Sequence, residues 1–286
     1  MAESTRNKIA LVTGASSGFG LLFTVALARD GWTVVAAMRD LDRCTRLMDA
    51  AVQAGVTDRI DCHLLDVTET AQVEETAGHV ASRYGRLDLL VNNAGFAVAG
   101  FLEDVKLSEL RRQFETNFFG HVAVTKAFLP MMRAQHLGTI VMISSISGRN
   151  PFPGVGSYAA SKFALEGWTE TLRLELKALG IHVVLIEPGA FETDIWTRNV
   201  VIGDQAMSSA SPNRERSDRF MSKVRERTAK PEPTPVIDLL LKVARSKNPR
   251  ARYLVGTDAK IAVALRKLLP ASSFEKLLIK MSAIDG

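Results

Sequence analysis

The sequence predicts an α/β protein, a doubly wound parallel sheet of about seven strands with helices on both faces. Three observations carry this expectation. Short apolar runs rich in β-branched residues alternate with stretches of helical period from residue 8 to about residue 190. The runs are nearly continuous in apolar residues, as strands buried on both faces are. The spacers between them are long enough for the crossover helices that parallel neighbours need.

KIALVT (8–13) reads as the first strand. GASSGFG follows and leads into LLFTVALARDG, a helical pattern that stops at Gly31. WTVVAAM (32–38) is the second strand and 42–54 the next helix. RIDCHLLDV (59–67) and LDLLVNNAG (87–95) supply the third and fourth strands, with a polar-faced helix over 69–84 between them. A long helical pattern over 107–135 precedes the fifth strand, GTIVMISS (138–145). A helix over 157–179 leads to the sixth, IHVVLIEPG (181–189). Beyond residue 190 the pattern weakens. Residues 197–235 are polar and read as a mobile segment with one short helix around 213–228. A helix over 236–246 precedes a seventh strand, ARYLVG (251–256). The tail is helical, basic and apolar, and it breaks near Pro270.

The 286 residues are 47% hydrophobic and 23% charged, which suits one large domain over 1–286 with a substantial core. The net charge of +5 is mild and spread out, so nucleic acid is not expected as a partner. Cys44 and Cys62 form no CxxC pair and no Cys/His cluster, and they read as two reduced thiols with no metal site. MAESTRNKIA has no apolar core of a signal peptide, and no run reaches the length of a membrane span. A cytoplasmic location without membrane contact is the expectation.

Two stretches point to chemistry. TGASSGFG (13–20) packs three glycines and two serines between a strand and a helix. Such a loop turns tightly and lets a pyrophosphate approach the backbone at the positive end of the helix. In SYAASKF (157–163), Tyr158 and Lys162 stand four apart, on one face of a helix. A free phenol, with a pKa of about 10, is a poor base at neutral pH. An ammonium about 4 Å away, at an effective dielectric of about 20, favours the phenolate by about 4 kcal/mol. Either stretch alone has a plainer reading, a simple turn or a chance surface pair.

Together with others they resemble the successive motifs of the short-chain dehydrogenase/reductase family. TGASSGFG, NNAG (92–95), Asn117 in TNFFG, Ser145 in ISSISG, YxxxK in SYAASK and EPGAFET (187–193) occur in the family's order over roughly residues 8–195. Ser145 stands 158 − 145 = 13 residues before Tyr158, the family's spacing. The resemblance implies a single Rossmann-type domain and reversible hydride transfer between a nicotinamide and an alcohol or carbonyl carbon. It implies Tyr158 as general acid and base, Lys162 as its tuning charge and ribose ligand, and Ser145 as the hydroxyl that holds the substrate oxygen. Ser144 competes with Ser145, and a turn cap is the plain alternative for either. Asn117 would hold a water beside Lys162, or simply bond backbone.

For the cofactor, the resemblance implicates Gly14, Ser16, Ser17, Gly18, Phe19 and Gly20 in the first loop. It adds Asp66 and Val67 after the third strand, Asn93, Ala94 and Gly95 after the fourth, and Pro188, Gly189, Phe191 and Thr193 after the sixth. Asp66 could instead cap the helix at 69. Phe19 and Phe191 replace the aliphatic residues usual in the family. Met38 occupies the position where an NAD enzyme carries an acid, and Arg39 follows it, so NADP(H) is expected. Asp40 competes for the ribose unless it caps the next helix. Residues 190–235 are expected as a substrate lid and 257–286 as a C-terminal helical extension. Resemblance to the steroid- and retinoid-active branch suggests a bulky apolar substrate, and the helices over 107–135 and 157–179 resemble those the family pairs at a dimer interface, which implies a homodimer or homotetramer. The alternative from another class is an NADP(H)-binding sensor without turnover. Such relatives lose the tyrosine or lysine that this chain keeps.

Overall fold

Successive residues of each strand point to opposite faces of one sheet, and this divides the core into two layers. The computed structural model describes residues 7–226 and 231–282. Residues 227–230 of the expected lid and 283–286 of the expected C-terminal extension lie outside the described residues, as do residues 1–6.

The first half contains β1 (Ile9–Thr13), α1 (Gly18–Arg29), β2 (Thr33–Met38), α2 (Cys44–Ala54), β3 (Ile60–Leu64), α3 (Thr70–Tyr84), β4 (Leu89–Asn92), β5 (Ala97–Ala99), α4 (Leu107–Phe114) and α5 (Gly120–Gln135). The second half contains β6 (Gly138–Ile143), α6 (Gly156–Leu176), β7 (Ile181–Pro188), β8 (Val200–Ile202), α7 (Arg214–Glu226), α8 (Thr234–Arg245), β9 (Arg252–Val255), α9 (Thr257–Leu268) and α10 (Ala271–Ser282). Seven strands form the expected parallel sheet in the order β3-β2-β1-β4-β6-β7-β9. Ala10, Val12, Val34 and Val184 face one layer, closed by Phe23 and Leu27 of α1, Leu47 of α2 and Leu240 of α8. Ile9, Leu11, Val35 and Val183 face the other, under Val80 of α3, Phe128 of α5 and Leu165 of α6.

Three features depart from the sequence reading. The long helix expected over 107–135 is interrupted by a π-helical turn, Glu115–Phe119, between α4 and α5. Such a bulge inserts an extra residue into the turn, and it brings Asn117 into the interior, fully buried. The segment expected to be mobile is tied down. β8 pairs in parallel with β5, Gly203 N–H donates to the Ala99 carbonyl at 2.8 Å, and Lys106 meets Asp204 at 2.6 Å. Strands of three residues carry no periodicity, so only tertiary contact reveals them. Cys44 and Cys62, expected as separate reduced thiols, are joined in a disulfide. α2 folds back over the edge strand β3, a juxtaposition that residues 18 apart in sequence do not announce.

Two buried contacts lock the ends of the central strands. Gly20 of α1 lies so close to the glycine loop that a Cβ there would stand 2.2 Å from the Gly14 carbonyl oxygen and 2.6 Å from Asn93 Nδ2. His121 of α5 is fully buried and donates from Nε2 to the Ala94 carbonyl at 2.7 Å. Burial and the nearby Lys162 ammonium push its pKa down to about 3.

Two outcomes are expected. Gly20→Ala sets backbone against backbone, so it should lower unfolding free energy by about 1–3 kcal/mol in a denaturant titration; an unchanged midpoint would contradict this packing. The unfolded chain takes up a proton on His121 below about pH 6.5, whereas the folded protein does not until about 3. Stability should therefore fall as pH drops through that window, by up to about 4 kcal/mol from this one group. His121→Gln should flatten that part of the profile relative to the parent protein.

Candidate active site

β1 has β2 on one side and β4 on the other, and the chain winds away from it in opposite directions. The loops leaving β1 and β4 therefore separate and leave a crevice at the carboxyl ends of the strands, where open α/β sheets bind ligands. A cleft of about 450 Å³ lies there, a size ordinary for a small-molecule site. Segments distant in sequence line it. They bring Gly14, Ser16, Ser17, Gly18 and Phe19 together with Met38 and Arg39, Asp66 and Val67, Asn93, Ala94 and Gly95, and Thr193.

The loop after β1 has the shape a phosphate cradle needs. Gly14 and Gly18 adopt φ of +68° and +52°, and a Cβ on Gly14 would meet Ala94 Cα at 2.8 Å. The NNAG segment is bound directly to this loop. Asn93 N–H and Ala94 N–H both donate to Thr13 Oγ1, at 2.9 and 3.0 Å, and Asn93 Nδ2 donates to the Thr13 carbonyl at 2.9 Å. Gly20, Asn117, Ser145, Tyr158, Lys162, Pro188, Gly189 and Phe191 do not line this cleft. Phe191 packs edge-on against Phe19, and Gly189 N–H donates to the Val255 carbonyl at 2.7 Å.

Each of the two aspartates with competing roles holds a turn. Asp40 accepts from Asp42 N–H at 3.0 Å and pairs with Arg43, so it caps the turn before α2. Asp66 lines the cleft and also accepts from both the N–H and the hydroxyl of Thr68, which holds the turn leading to α3. Sequence reasoning missed several contributors. Arg43 stands on the rim near Arg39, and Arg198 and Asn199 reach in from the segment after β7. Asp194 accepts from Gly18 N–H at 2.9 Å and pairs with Arg46 at 3.0 Å. Asn199 Nδ2 donates to Ser17 Oγ at 3.2 Å. EPGAFET ends one residue before Asp194, so the signal stopped just short of it.

α6 carries Tyr158 and Lys162 on its buried face, against the end of β6. Lys162 Nζ donates to the Ile143 carbonyl at 2.8 Å and lies 5.7 Å from the centre of the Tyr158 ring. The Ser145 hydroxyl is hydrogen-bonded to the Tyr158 phenol and also accepts from Ser147 N–H at 3.1 Å. It is thus both a partner of the phenol and a turn cap. Ser144 is buried and donates to Glu166. Asn117 Nδ2 donates to the Phe96 carbonyl at 3.0 Å and to Ser161 Oγ at 3.3 Å, and its Oδ1 accepts from Phe96 N–H. Its amide holds the loop beyond NNAG as well as facing α6.

The electrostatics differ from the sequence reading in one respect. Burial raises the Tyr158 phenol to about 12, partly opposed by the Ser145 hydrogen bond. Burial also lowers Lys162 to about 8, with Glu166 opposing. Desolvation of the phenol, and not the expected pull of the ammonium, sets the direction of its shift. Among the described residues, no three His, Cys, Asp or Glu side chains are placed to hold a metal ion. No helix among them is long and apolar enough to cross a membrane.

The cradle, the basic rim and the crevice at the switch of strand order fit a dinucleotide. The comparisons agree. Residues 8–200 match the family model for short chain dehydrogenases. An uncharacterized oxidoreductase of Bacillus subtilis, YusZ, is 40% identical over 96% of this chain and 98% of its own. A 3-ketodihydrosphingosine reductase of Bacteroides thetaiotaomicron is 34% identical over 91% and 92%. Retinol dehydrogenase 8 of Bos taurus is 33% identical over 96% and 88%. A short-chain dehydrogenase structure from Streptomyces avermitilis superposes with a TM-score of 0.80 at 31% identity, covering 97% of each chain. A Burkholderia phymatum structure in complex with NAD gives 0.78 at 29%, covering 93% of this chain and 95% of its own. A metagenomic structure in complex with NADP gives 0.68 at 26%, covering 87% and 96%. With residues 8–200 matched by that model and near full-length relatives above 30% identity, this chain belongs to the short-chain dehydrogenase/reductase family of oxidoreductases.

Proposed function

We propose that the protein is an NADPH-dependent oxidoreductase that interconverts a carbonyl and an alcohol by hydride transfer, acting on a bulky apolar substrate. The observation that carries this reading is the set of Tyr158, Ser145 and Lys162 held together between α6 and the end of β6. When bound, the nicotinamide supplies or accepts the hydride. The chain's own residues orient the substrate and move a proton. Ser145 holds the carbonyl oxygen beside the Tyr158 phenol. Tyr158, protonated at neutral pH with its pKa near 12, donates the proton in reduction. Lys162 keeps a positive charge below about pH 8 and stabilises the phenolate left behind.

Cofactor choice rests on the end of β2. Buried Met38 leaves no carboxylate for a ribose diol, and Asp40 is committed to its own turn. Arg39 and Arg43 on the rim offer guanidinium groups to a 2′-phosphate. Substrate class rests on the surroundings of the tyrosine. Tyr158 packs with Ala97 and Val155, and Phe152, Ile195 and Phe220 close around them. These include two groups from the segment over 190–235, which supports its reading as a lid. Two relatives bear the names of a 3-ketodihydrosphingosine reductase and a retinol dehydrogenase, both of which imply apolar molecules.

Two measurements test the reading. Tyr158→Phe should lower kcat for NADPH-dependent reduction of aryl, steroid and retinoid carbonyls by about 100-fold or more while NADPH still binds. Turnover that survives in the variant would remove Tyr158 from the chemistry, and a preference for small polar ketones would refute the substrate class. In fluorescence titrations, Arg39→Ala combined with Arg43→Ala should weaken NADPH by about tenfold or more and leave NADH nearly unchanged. Equal losses for both nucleotides would overturn the NADPH assignment.

A further inference from the structure

Tyr158, Lys162 and Glu166 follow one another at four-residue spacing along one buried face of α6. That face meets three consecutive residues at the end of β6. Lys162 binds the Ile143 carbonyl, Glu166 accepts from Ser144, and Tyr158 is bonded to Ser145. The first and third contacts belong to the proposed chemistry. The middle one has no part in it, yet it is fully internal. Ser144 is 3% exposed, Glu166 is 6% exposed, and Ser144 Oγ donates to Glu166 Oε1 at 2.8 Å.

This pair supports the turn that aims Ser145. Gly148 closes the turn, its N–H donating to the Ser145 carbonyl at 2.9 Å. It rests directly on the pair, since a Cβ at Gly148 would stand 2.7 Å from both Glu166 Oε1 and Ser144 Oγ. Behind the pair, Glu166 Oε2 meets Arg252 of β9. Arg252 also lies 3.3 Å from Glu170 and 3.0 Å from the fully buried Glu187 of β7. Arg149, just past the turn, reaches Glu187 at 3.2 Å. The groups facing Glu166 are therefore Ser144, Arg252, Arg149, Glu187 and, along its own helix, Lys162. Burial and the Glu187 carboxylate raise Glu166 to about 7, against the pull of Ser144 and the two arginines. Its charge is thus set close to neutrality.

We propose that Glu166 is a positioning residue for the reaction: by accepting from Ser144 it fixes the backbone turn that carries Ser145, and so sets the substrate-holding hydroxyl against Tyr158. The proposal rests on the reading of Ser145 and Tyr158 given above. It differs from a purely structural ion pair with Arg252, because the hydrogen bond and the charge can be separated. Glu166→Gln keeps an oxygen that can accept from Ser144 and drops the charge. Ser144→Ala removes the hydrogen bond and leaves the ion pairs intact. Glu166→Ala removes both.

The test has two arms. Hydrogen–deuterium exchange over residues 143–150 of the ligand-free protein needs no substrate. Ser144→Ala and Glu166→Ala should speed exchange at Ser147 and Gly148 by about tenfold, and Glu166→Gln by much less. In the second arm, acetophenone reduction by NADPH should lose about 10- to 100-fold in kcat in Ser144→Ala and Glu166→Ala, with KM nearly unchanged, and Glu166→Gln should retain most activity. Unchanged exchange in Ser144→Ala would overturn the proposal. So would equal losses of kcat and melting temperature in both Glu166 variants with a fully active Ser144→Ala, since only the ion pair would then matter. If Glu166→Ala does not fold, Ser144→Ala and Glu166→Gln still decide. A parent protein that reduces no carbonyl but shows the expected exchange pattern would remove the reductase reading and leave the placement of Ser145 by Glu166 standing.

Discussion

A buried ammonium bonded to a strand-end carbonyl sets the geometry of this site. Lys162 Nζ reaches the Ile143 oxygen at 2.8 Å, at the point where β6 leaves the sheet. Burial lowers its pKa from 10.5 to about 8, so holding the charge there costs about 3 kcal/mol. That cost is tolerated because α6 must dock at one register and no other. One turn earlier on the helix is Tyr158 and one turn later Glu166, and each meets its own residue of the same short segment. Sliding α6 by a turn would break all three contacts at once.

The sheet determines what lies opposite this assembly. Parallel strands deliver their carboxyl ends to one edge, so the loops after β1, β2, β3, β4 and β7 meet over one cleft although they are far apart in sequence. Close backbone approach then holds the loops in place. Thr13 Oγ1 takes two N–H groups from Asn93 and Ala94, and His121 secures the Ala94 carbonyl from beneath. The segment after β7 joins through Asp194 at Gly18 N–H and through the β5–β8 pairing. The wall of the cleft thereby includes residues of the segment after β7.

Charge is distributed unevenly across the site. Tyr158, Lys162 and His121 are buried, and desolvation moves each toward its neutral form. The arginines Arg39 and Arg43 stand at the solvent edge, where a guanidinium keeps its charge at little cost. The buried titratable groups thus lie in a low-dielectric interior, and the guanidinium groups lie at the solvent edge.

The sequence by itself determined the fold and most of the site. Apolar runs buried on both faces specify parallel strands, and helical spacers of crossover length specify the winding, because both follow from local period and chain length. The motifs from Gly14 to Thr193 announced the cleft because glycine geometry and the four-residue spacing of Tyr158 and Lys162 are local properties too. Only the tertiary structure decided the rest, because it depends on contacts between distant residues. That Glu166 takes the Ser144 hydroxyl while Ser145 meets Tyr158 follows only from the docking of α6 against β6. The π-turn that buries Asn117, the three-residue pairing of β5 with β8, and the Cys44–Cys62 bond leave no periodic trace in the chain. The raised phenol and lowered ammonium were likewise invisible, since spacing reports proximity between charges whereas their pKa values are dominated here by removal from water.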